Sequence, residues 1–337
     1  MSSWGSPSQI VVIKLNEHMK IIRSLLFAAV VVSTLTSTSL QAQEKSTVIL
    51  GTATPGGGFP VYGAAFAGTI NQNDSSLDVQ TRNTGGSTEN VQLLEAEKLD
   101  IALVQGEVAH EVLSTMGPPE TKLKIITAMY PTPGMFVVRA NSPYRTIKDL
   151  IGKAVVFGAQ GSGLVILARY VLDGIGLDQN RDFKTVYLKA AKDGPAMVID
   201  GRAEALWGGG LGWPGFDAVA QSTVGARFVT PTDEEIKSIR TKYPFLLHIT
   251  VPAGSYPGQY DSIASIGSWS FVLAKPTLSD DLAYRLARAL HRGESMLGSR
   301  LRQARETTAT NTITAVPHLD LIHPGVLRYY RDIGLLR

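Results

Sequence analysis

Three glycine-rich turns are the stretches of this sequence whose residue types and order could bind a ligand. Each follows a β-rich run and precedes an amphipathic run, and they read GTATPGGGFP (51–60), TGGST (84–88) and GAQGSG (158–163). Glycine lets the backbone come close to a ligand, and the first N–H groups of a helix lack partners within the helix. We therefore expect the three turns to present N–H groups and hydroxyls to one anion, although each alone is also an ordinary strand-to-helix connection.

The second turn has features of both an anion-binding turn and an ordinary strand-to-helix connection. Ser87 or Thr88 is a natural N-cap for the amphipathic run that follows. Glu89 lies in the first turn of that helix, and its carboxylate could itself bind the N–H groups that an external anion would need.

The elements around these turns alternate in type. Short β-rich runs and amphipathic runs follow one another from residue 47 onwards, which predicts an α/β fold with a largely parallel sheet and helices on its faces. In such a sheet, strand-to-helix turns lie at the carboxyl ends of the strands, where ligands bind. The runs predicted as strands in the first two-thirds of the chain are 48–51, 77–81, 100–105, 124–129, 135–140, 154–158, 183–188 and 203–207.

Two interruptions of this alternation predict the domain organisation. The runs 124–129 and 135–140 are separated only by a proline-rich turn, and a stretch rich in Gly, Pro and Ser precedes another strand near 266–274. We expect two α/β units joined by extended crossings near 135–140 and 266–274. Lobe 1 is predicted to comprise 43–138 plus 267–337, and lobe 2 to comprise 139–266.

The N-terminal segment has the layout of a secretory signal. Lys20 and Arg23 precede an apolar run at 25–32, and Ser and Thr then dilute it toward Ala42. The run is shorter than the roughly 20 residues of a membrane span, so an uncleaved anchor or a buried helix is the alternative. We expect 1–42 to be an upstream extension and signal peptide, with cleavage near Ala42 and a periplasmic mature protein.

Several function classes are disfavoured by composition and motifs. A formal net charge of +3 does not indicate binding to nucleic acid, and the absence of cysteine excludes disulfides. The sequence contains no G-x-x-x-x-G-K-[ST], G-x-S-x-G or H-E-x-x-H motif, and GGGFPV does not complete G-x-G-x-x-G. We therefore expect a protein that is not an enzyme and has no cofactor or metal. The alternative is an exported hydrolase or lyase with Glu107 or Glu204 as its base.

Aromatic residues beside turns are further candidates. LWGGGLGWPGF (206–216) places Trp207 and Trp213 around four glycines, where the rings could stack on a ligand or fill a core. Tyr62, Tyr130 and Tyr256 also adjoin turn residues. Each could donate its hydroxyl to a carboxylate or pack between lobes.

Taken together, these stretches resemble the solute receptors of TRAP transporters, of the TAXI type. The resemblance implies a two-lobed periplasmic-binding-protein fold, type II-like, with two hinge strands. It also implies a small organic anion, a dicarboxylate or an acidic amino acid, that is passed to a multi-pass TRAP permease. It is carried by GTATPGGGFPVYGAAFA (51–67), TGGSTENVQLLEAEKLDIALVQGEVAHE (84–111), NSPYRTIKDLIGKAVVFGAQGSG (141–163), VPAGSYPGQ (251–259) and HPGVLRYYRDIGL (323–335).

Some positions depart from that family's usual pattern. Gln105 is followed by Gly106 instead of a polar pair, Leu164 stands where a hydroxyl is common, and Glu204 replaces an aspartate. With two tryptophans nearby, these departures favour a bulkier or aromatic carboxylate as an alternative ligand. A ligand-sensing receptor is an alternative role. The ligand-binding residues that we predict are Gly57, Gly58, Phe59, Tyr62, Ser87, Thr88, Gln105, Tyr130, Gln160, Gly161, Ser162, Gly163, Trp207, Trp213 and Tyr256.

Overall fold

The computed structural model describes Met1, residues 45–114 and residues 123–337. The signal and extension predicted for 1–42 therefore lie outside the described residues, apart from Met1. Residues Lys45–Arg337 form one unit, and the fold below is the fold of that unit.

Ten strands in the described part of the chain form one sheet. They are β1 (Ser46–Gly51), β2 (Leu77–Arg82), β3 (Ile101–Val104), β4 (Lys124–Arg139), β5 (Ala154–Ala159), β6 (Lys184–Leu188), β7 (Ala205–Gly209), β8 (Ala226–Val229), β9 (Leu247–Val251) and β10 (Ile263–Ala274). The strand order is β2-β1-β3-β10-β4-β7-β5-β6, with β8 also paired to β4 and β9 also paired to β10.

The sheet is mixed, so the prediction of a largely parallel sheet was wrong. β1 pairs in parallel with β2 and β3, and β5 pairs in parallel with β6 and β7. All pairings of β4 and β10 are antiparallel. The two long central strands run antiparallel to their neighbours. The alternation of β-rich and amphipathic runs along the chain does not show the direction of a strand, so the sequence did not reveal this arrangement.

β4 also corrects the prediction of two strands with a proline-rich turn between them. The chain runs as one strand through Pro131 and Pro133, which lie opposite Trp269 and Gly267 of β10. β7 joins the other edge of β4 only from Gly134 onwards. Proline lacks an N–H group and is tolerated where one edge of a strand is unpaired, so this segment continues as a strand instead of turning.

Helices connect the strands and cover the sheet. No helix within residues 45–114 and 123–337 is both long enough and apolar enough to span a membrane. The helices are α1 (Gly58–Asn73), α2 (Ser87–Glu95), α3 (Gly106–Leu113), α4 (Gly163–Gly174), α5 (Gly194–Ile199), α6 (Pro214–Ala220), α7 (Asp233–Lys242), α8 (Asp280–Arg292), α9 (Glu294–Arg300), α10 (Ala309–Ala315) and α11 (Pro324–Asp332).

The buried apolar residues show the two lobes. One core cluster draws on residues 48–130 and 271–330, and two further clusters draw on residues 135–266. The core therefore changes from lobe 1 to lobe 2 between Tyr130 and Met135 on β4, and between Ile266 and Phe271 on β10. β4 and β10 are the two hinge strands. The boundaries predicted at 138/139 and 266/267 stay predictions.

Candidate ligand-binding site

Three helices from the two lobes begin at one cavity. α1 begins at Gly58, α2 at Ser87 and α4 at Gly163, and all three residues line a cavity of about 60 Å³. The strand-to-helix turns that precede them carry the three glycine motifs. The full lining is Ala53, Thr54, Gly57, Gly58, Phe59, Gly85, Gly86, Ser87, Gln105, Tyr130, Thr132, Gly158, Ala159, Ser162, Gly163, Leu164, Ala191, Gly209 and Trp213.

The electrostatics of this lining come from backbone dipoles. None of the lining residues is Lys, Arg, His, Asp or Glu. The N-caps of α1 and α2, Gly57 and Gly86, have no side chain to bind the first N–H groups. Each helix N-terminus carries about half a positive charge, so the cavity is suited to an anionic group.

Side chains of the turns bind some of the N–H groups that a ligand could use, and the Thr84 hydroxyl accepts a hydrogen bond from the Gly86 N–H at 3.2 Å. The Ser162 hydroxyl accepts a hydrogen bond from the Leu164 N–H at 3.2 Å and so caps α4. Glu89 reaches back, and its carboxylate accepts a hydrogen bond from the Gly85 N–H. This contact agrees with the interpretation in which the Glu89 carboxylate binds an N–H group of the second turn. No side chain of the described residues caps the N-terminus of α1 or of α2.

The two lobes touch each other beside the cavity. The Ala191 N–H donates to the Thr54 hydroxyl at 3.2 Å, and the Lys192 N–H donates to the Pro55 carbonyl at 3.2 Å. Gly56 has a φ of 86°, and a Cβ on it would lie 2.5 Å from Lys192. These contacts show a closed arrangement in which backbone meets backbone, and the glycine permits that approach.

Ser87 and Gln105 are linked at the base of the cavity. The buried Ser87 hydroxyl accepts a hydrogen bond from the Gln105 N–H at 3.0 Å. A Cβ on Gly163 would lie 2.8 Å from the Ser87 hydroxyl and 2.5 Å from the Gln105 Cβ. α4 of lobe 2 can therefore begin directly against these two lobe 1 residues only because its first residue is glycine.

Three aromatic residues line the cavity, namely Phe59, Tyr130 and Trp213. A Cβ on Gly58 would lie 3.3 Å from Trp213 and 3.9 Å from the Tyr130 hydroxyl, so both rings face the start of α1. Burial raises the pKa of Tyr130, which keeps the phenol neutral and able to donate a hydrogen bond. Gly208 and Gly215 make room for Trp213, because a Cβ on either would lie within 2.4 Å of its ring.

Two of the predicted aromatic residues lie outside this lining. Trp207 is fully buried and its indole N–H donates to the Leu164 carbonyl at 2.8 Å. Tyr256 is also buried and its hydroxyl donates to the Gly210 carbonyl at 2.6 Å. In this structure both rings fill the lobe 2 core, which was the alternative considered for tryptophans near glycines.

Four other predicted residues also lie outside the lining. Tyr62 is buried in lobe 1, where its hydroxyl pairs with the Thr307 hydroxyl at 3.0 Å. Gln160 and Thr88 are exposed, and Gly161 contacts the second glycine turn across the gap between the lobes.

The remaining predicted residues come together, and their binding role stays a prediction. They are Gly57, Gly58, Phe59, Ser87, Gln105, Tyr130, Ser162, Gly163 and Trp213. Of the lining residues that were not predicted, most belong to the three glycine turns themselves. Thr132 lies on hinge strand β4, Ala191 lies where the sequence has no glycine-turn signal, and Gly209 ends β7 within the glycine-rich stretch 206–216.

The two glutamates considered as catalytic bases lie outside the lining. Glu204 forms an ion pair with Arg139, with 2.6 Å between Oε2 and Nη2. Glu107 is fully buried, and burial raises the pKa of its carboxyl to about 7. Within residues 45–114 and 123–337, no group of three or more His, Asp or Glu side chains could hold a metal ion.

Known structures share this architecture. A protein from Bordetella bronchiseptica RB50 is 14% identical, with a TM-score of 0.54 over 86% of this chain and 98% of that one. A periplasmic transporter is 15% identical, with a TM-score of 0.51 over 77% of this chain and 87% of that one. The α/β, two-lobed periplasmic-binding-protein fold with two hinge strands is thereby confirmed.

A family match covers most of the sequence. The NMT1-like family matches residues 50–334, which include all three glycine turns and both hinge strands. The narrower resemblance to TAXI-type receptors is a finer assignment than this match provides and stays a prediction. The chain belongs to the NMT1-like family.

Proposed function

We propose that this protein is an extracytoplasmic solute receptor that binds a small organic anion between its lobes and delivers it to a membrane permease. The observation that carries the proposal is that three helix N-termini from two lobes meet at one cavity whose lining has no ionised side chain. This arrangement binds charge through fixed dipoles and offers no group to react with the ligand.

Closure of the lobes accounts for binding strength. Hydrogen bonds from N–H groups to an anion contribute about 1.5–3 kcal/mol each. They are strongest when water is excluded, and the backbone contacts at Thr54 and Pro55 close the gap beside the cavity. Rotation about β4 and β10 would open the same gap, so binding and release follow from one hinge motion.

The cavity favours a small solute with one acid group. A volume of about 60 Å³ in this closed arrangement favours a small molecule as the ligand. An aromatic carboxylate was favoured by the loss of polar residues and by two nearby tryptophans, and of the tryptophans only Trp213 lines the cavity. A dicarboxylate or acidic amino acid would place a second charge beside a lining without Lys or Arg.

The proposed partner and the proposed compartment are both inferred from the sequence. The TAXI resemblance supports a multi-pass TRAP permease as the partner, and the signal predicted at 19–42 supports a periplasmic location. The NMT1-like match and the fold are compatible with both assignments.

Binding without turnover tests the proposal. We would purify the mature chain without refolding, weigh any retained solute by native mass spectrometry, and then titrate monocarboxylates, sulfonates, dicarboxylates and aromatic acids calorimetrically. We expect saturable one-to-one binding of a small monoanion and unchanged ligand after hours of incubation. Product formation would support the rival enzyme, and the absence of binding by every acid would reject the receptor.

A further inference from the structure

The segment Gln105-Gly106-Glu107 connects the cavity to hinge strand β10. Gln105 lines the cavity, Gly106 begins α3, and Glu107 lies one residue further on. A Cβ on Gly106 would lie 2.1 Å from the Trp269 carbonyl oxygen and 2.2 Å from the Ser268 hydroxyl. Only glycine allows the start of α3 to press directly on β10, which holds the residues on either side in fixed positions.

Glu107 has a carboxyl group that is only half satisfied. Its side chain is fully buried, and the Ser268 hydroxyl donates to Oε1 at 2.6 Å. Its other oxygen, Oε2, is buried and has no hydrogen-bond partner among the described residues. A buried carboxylate oxygen is stabilised by a nearby N–H dipole, so the orientation of neighbouring amides matters.

Gln105 supplies such an amide. Its Nε2 is buried and also lacks a hydrogen-bond partner among the described residues. Burial is the largest influence on the pKa of Glu107 and raises it, while the side chains of Ser268 and Gln105 act in the opposite direction. The Gln105 side chain therefore favours the charged carboxyl, although its Nε2 lacks the geometry of a regular hydrogen bond.

The other end of the Gln105 amide faces the ligand space. A Cβ on Gly163 would lie 3.1 Å from Gln105 Oε1, and both residues line the cavity. A carboxylate can only accept hydrogen bonds, so it favours the orientation in which Gln105 turns its NH₂ group inward and its carbonyl oxygen toward the cavity.

We propose that Glu107 is a positioning residue that presents the Gln105 carbonyl oxygen to the ligand, so that the cavity selects acids that also carry a hydroxyl or amino donor. This inference rests on the proposed function and specifies its ligand class. The acid group lies against the helix N-termini, and the donor hydrogen-bonds Gln105. A second carboxylate would instead face an acceptor oxygen with a buried carboxyl group behind it.

Four acids of equal chain length separate these possibilities. Butyrate carries the acid alone, 2-hydroxybutyrate and 2-aminobutyrate add a donor, and succinate adds a second acid. At pH 8, where Glu107 with its pKa of about 7 is ionised, we expect the better donor-bearing acid to bind about tenfold more tightly than butyrate or succinate. Equal or reversed affinities would overturn the inference while leaving the receptor in place. Failure of all four acids to bind would overturn the inference, and failure of the wider calorimetric panel as well would reject the receptor on which it rests.

Variants of Glu107 test the indirect role. Glu107→Met removes the acceptor, and Glu107→Gln keeps the shape and one acceptor oxygen without the charge. We expect the affinity ratio of 2-hydroxybutyrate to butyrate to fall nearly to one in Glu107→Met and to an intermediate value in Glu107→Gln. Glu95→Gln, at an exposed position on α2, is the matched control and keeps the wild-type ratio. A ratio unchanged in both Glu107 variants would contradict the positioning role.

A spectroscopic measurement needs neither ligand nor Glu107→Met. The side-chain NH₂ resonances of Gln105 in ¹⁵N-labelled protein should shift with pH as Glu107 titrates. In Glu107→Gln that shift is lost, and Gln105 resonances that are insensitive to pH in the wild-type protein would contradict an interaction between the two side chains.

Discussion

The Thr88 N–H of lobe 1 donates to the Gly161 carbonyl oxygen of lobe 2 at 3.3 Å. A Cβ on Gly161 would lie 2.9 Å from the Gly85 carbonyl oxygen, and a Cβ on Gly86 would lie 2.8 Å from the Gly161 carbonyl oxygen. Two glycine turns from different lobes therefore meet without side chains between them. The two turns would separate if the lobes rotated apart about β4 and β10, so this contact is specific to the closed arrangement.

Gly161→Ala tests whether this closure strengthens binding. The added methyl group clashes with Gly85 only when the lobes are closed, so we expect it to favour the open state. Affinity falls with the closed fraction, and we expect about a tenfold loss by calorimetry. Scattering in the presence of ligand should show a larger radius of gyration than wild type.

The matched control is Gly68→Ala, in the interior of α1. A Cβ there meets only the end of the Arg300 side chain, at 3.1 Å. Replacing a helical glycine with alanine stabilises by about 0.5–1 kcal/mol, so this variant should melt higher and bind as wild type does. Wild-type affinity in Gly161→Ala would contradict the closure mechanism.

The two tryptophans should separate binding from stability. Trp213→Ala removes a wall of the cavity, and we expect a clear loss of affinity in calorimetric titration. Trp207→Phe removes the hydrogen bond to the Leu164 carbonyl inside the lobe 2 core. We expect it to lower the free energy of unfolding by about 1–2 kcal/mol with affinity nearly unchanged. A loss of affinity in Trp207→Phe, with affinity unchanged in Trp213→Ala, would instead indicate that the ligand contacts Trp207.

Ser87 and Ser162 combine structural and binding roles. Ser87→Ala leaves the buried Gln105 N–H without its acceptor, and Ser162→Ala removes the cap of α4. We expect the double variant to fold, to lose about 2 kcal/mol of unfolding free energy, and to bind more weakly. Ser299→Ala, at an exposed position on α9, is the control and should change neither quantity. Unchanged binding in the folded double variant would remove both hydroxyls from the site.

Glu107 should make stability depend on pH. Burial raises the pKa of its carboxyl from 4.5 to about 7, so the folded state binds a proton that the unfolded state releases between those values. The resulting stabilisation is complete below pH 4.5 and is lost as pH rises through 7, by about 3 kcal/mol in total. We expect the change in unfolding free energy between pH 5 and pH 8 to shrink in Glu107→Gln and to persist in Glu95→Gln. Equal pH profiles for all three proteins would contradict this assignment.

The fold was largely predictable because its signals are local. The alternation of β-rich and amphipathic runs placed most strands, and the three glycine turns lie at helix starts as expected. Strand direction was not predictable in the same way. Whether β4 and β10 run with or against each other depends on pairings between residues more than a hundred positions apart.

The candidate site was predictable where backbone alone forms it. Gly57, Gly58, Ser162 and Gly163 were found because glycine and serine before a helix have a direct physical meaning. Aromatic residues were harder to assign from the sequence, since Trp207 and Trp213 flank the same glycines and both are buried, yet only Trp213 lines the cavity. Glu107 looked like a surface residue or a base, because nothing local shows that β10 covers it.

The most direct test of the central claim is an amide NMR titration of ¹⁵N-labelled protein with the acid that stabilises it most in the calorimetric panel. If the ligand binds at the three helix N-termini, we expect the backbone N–H resonances of Gly58, Ser87 and Gly163 to shift together and to saturate at one equivalent. Shifts confined to other regions, such as the surface of α7, with these three amides unchanged, would contradict it.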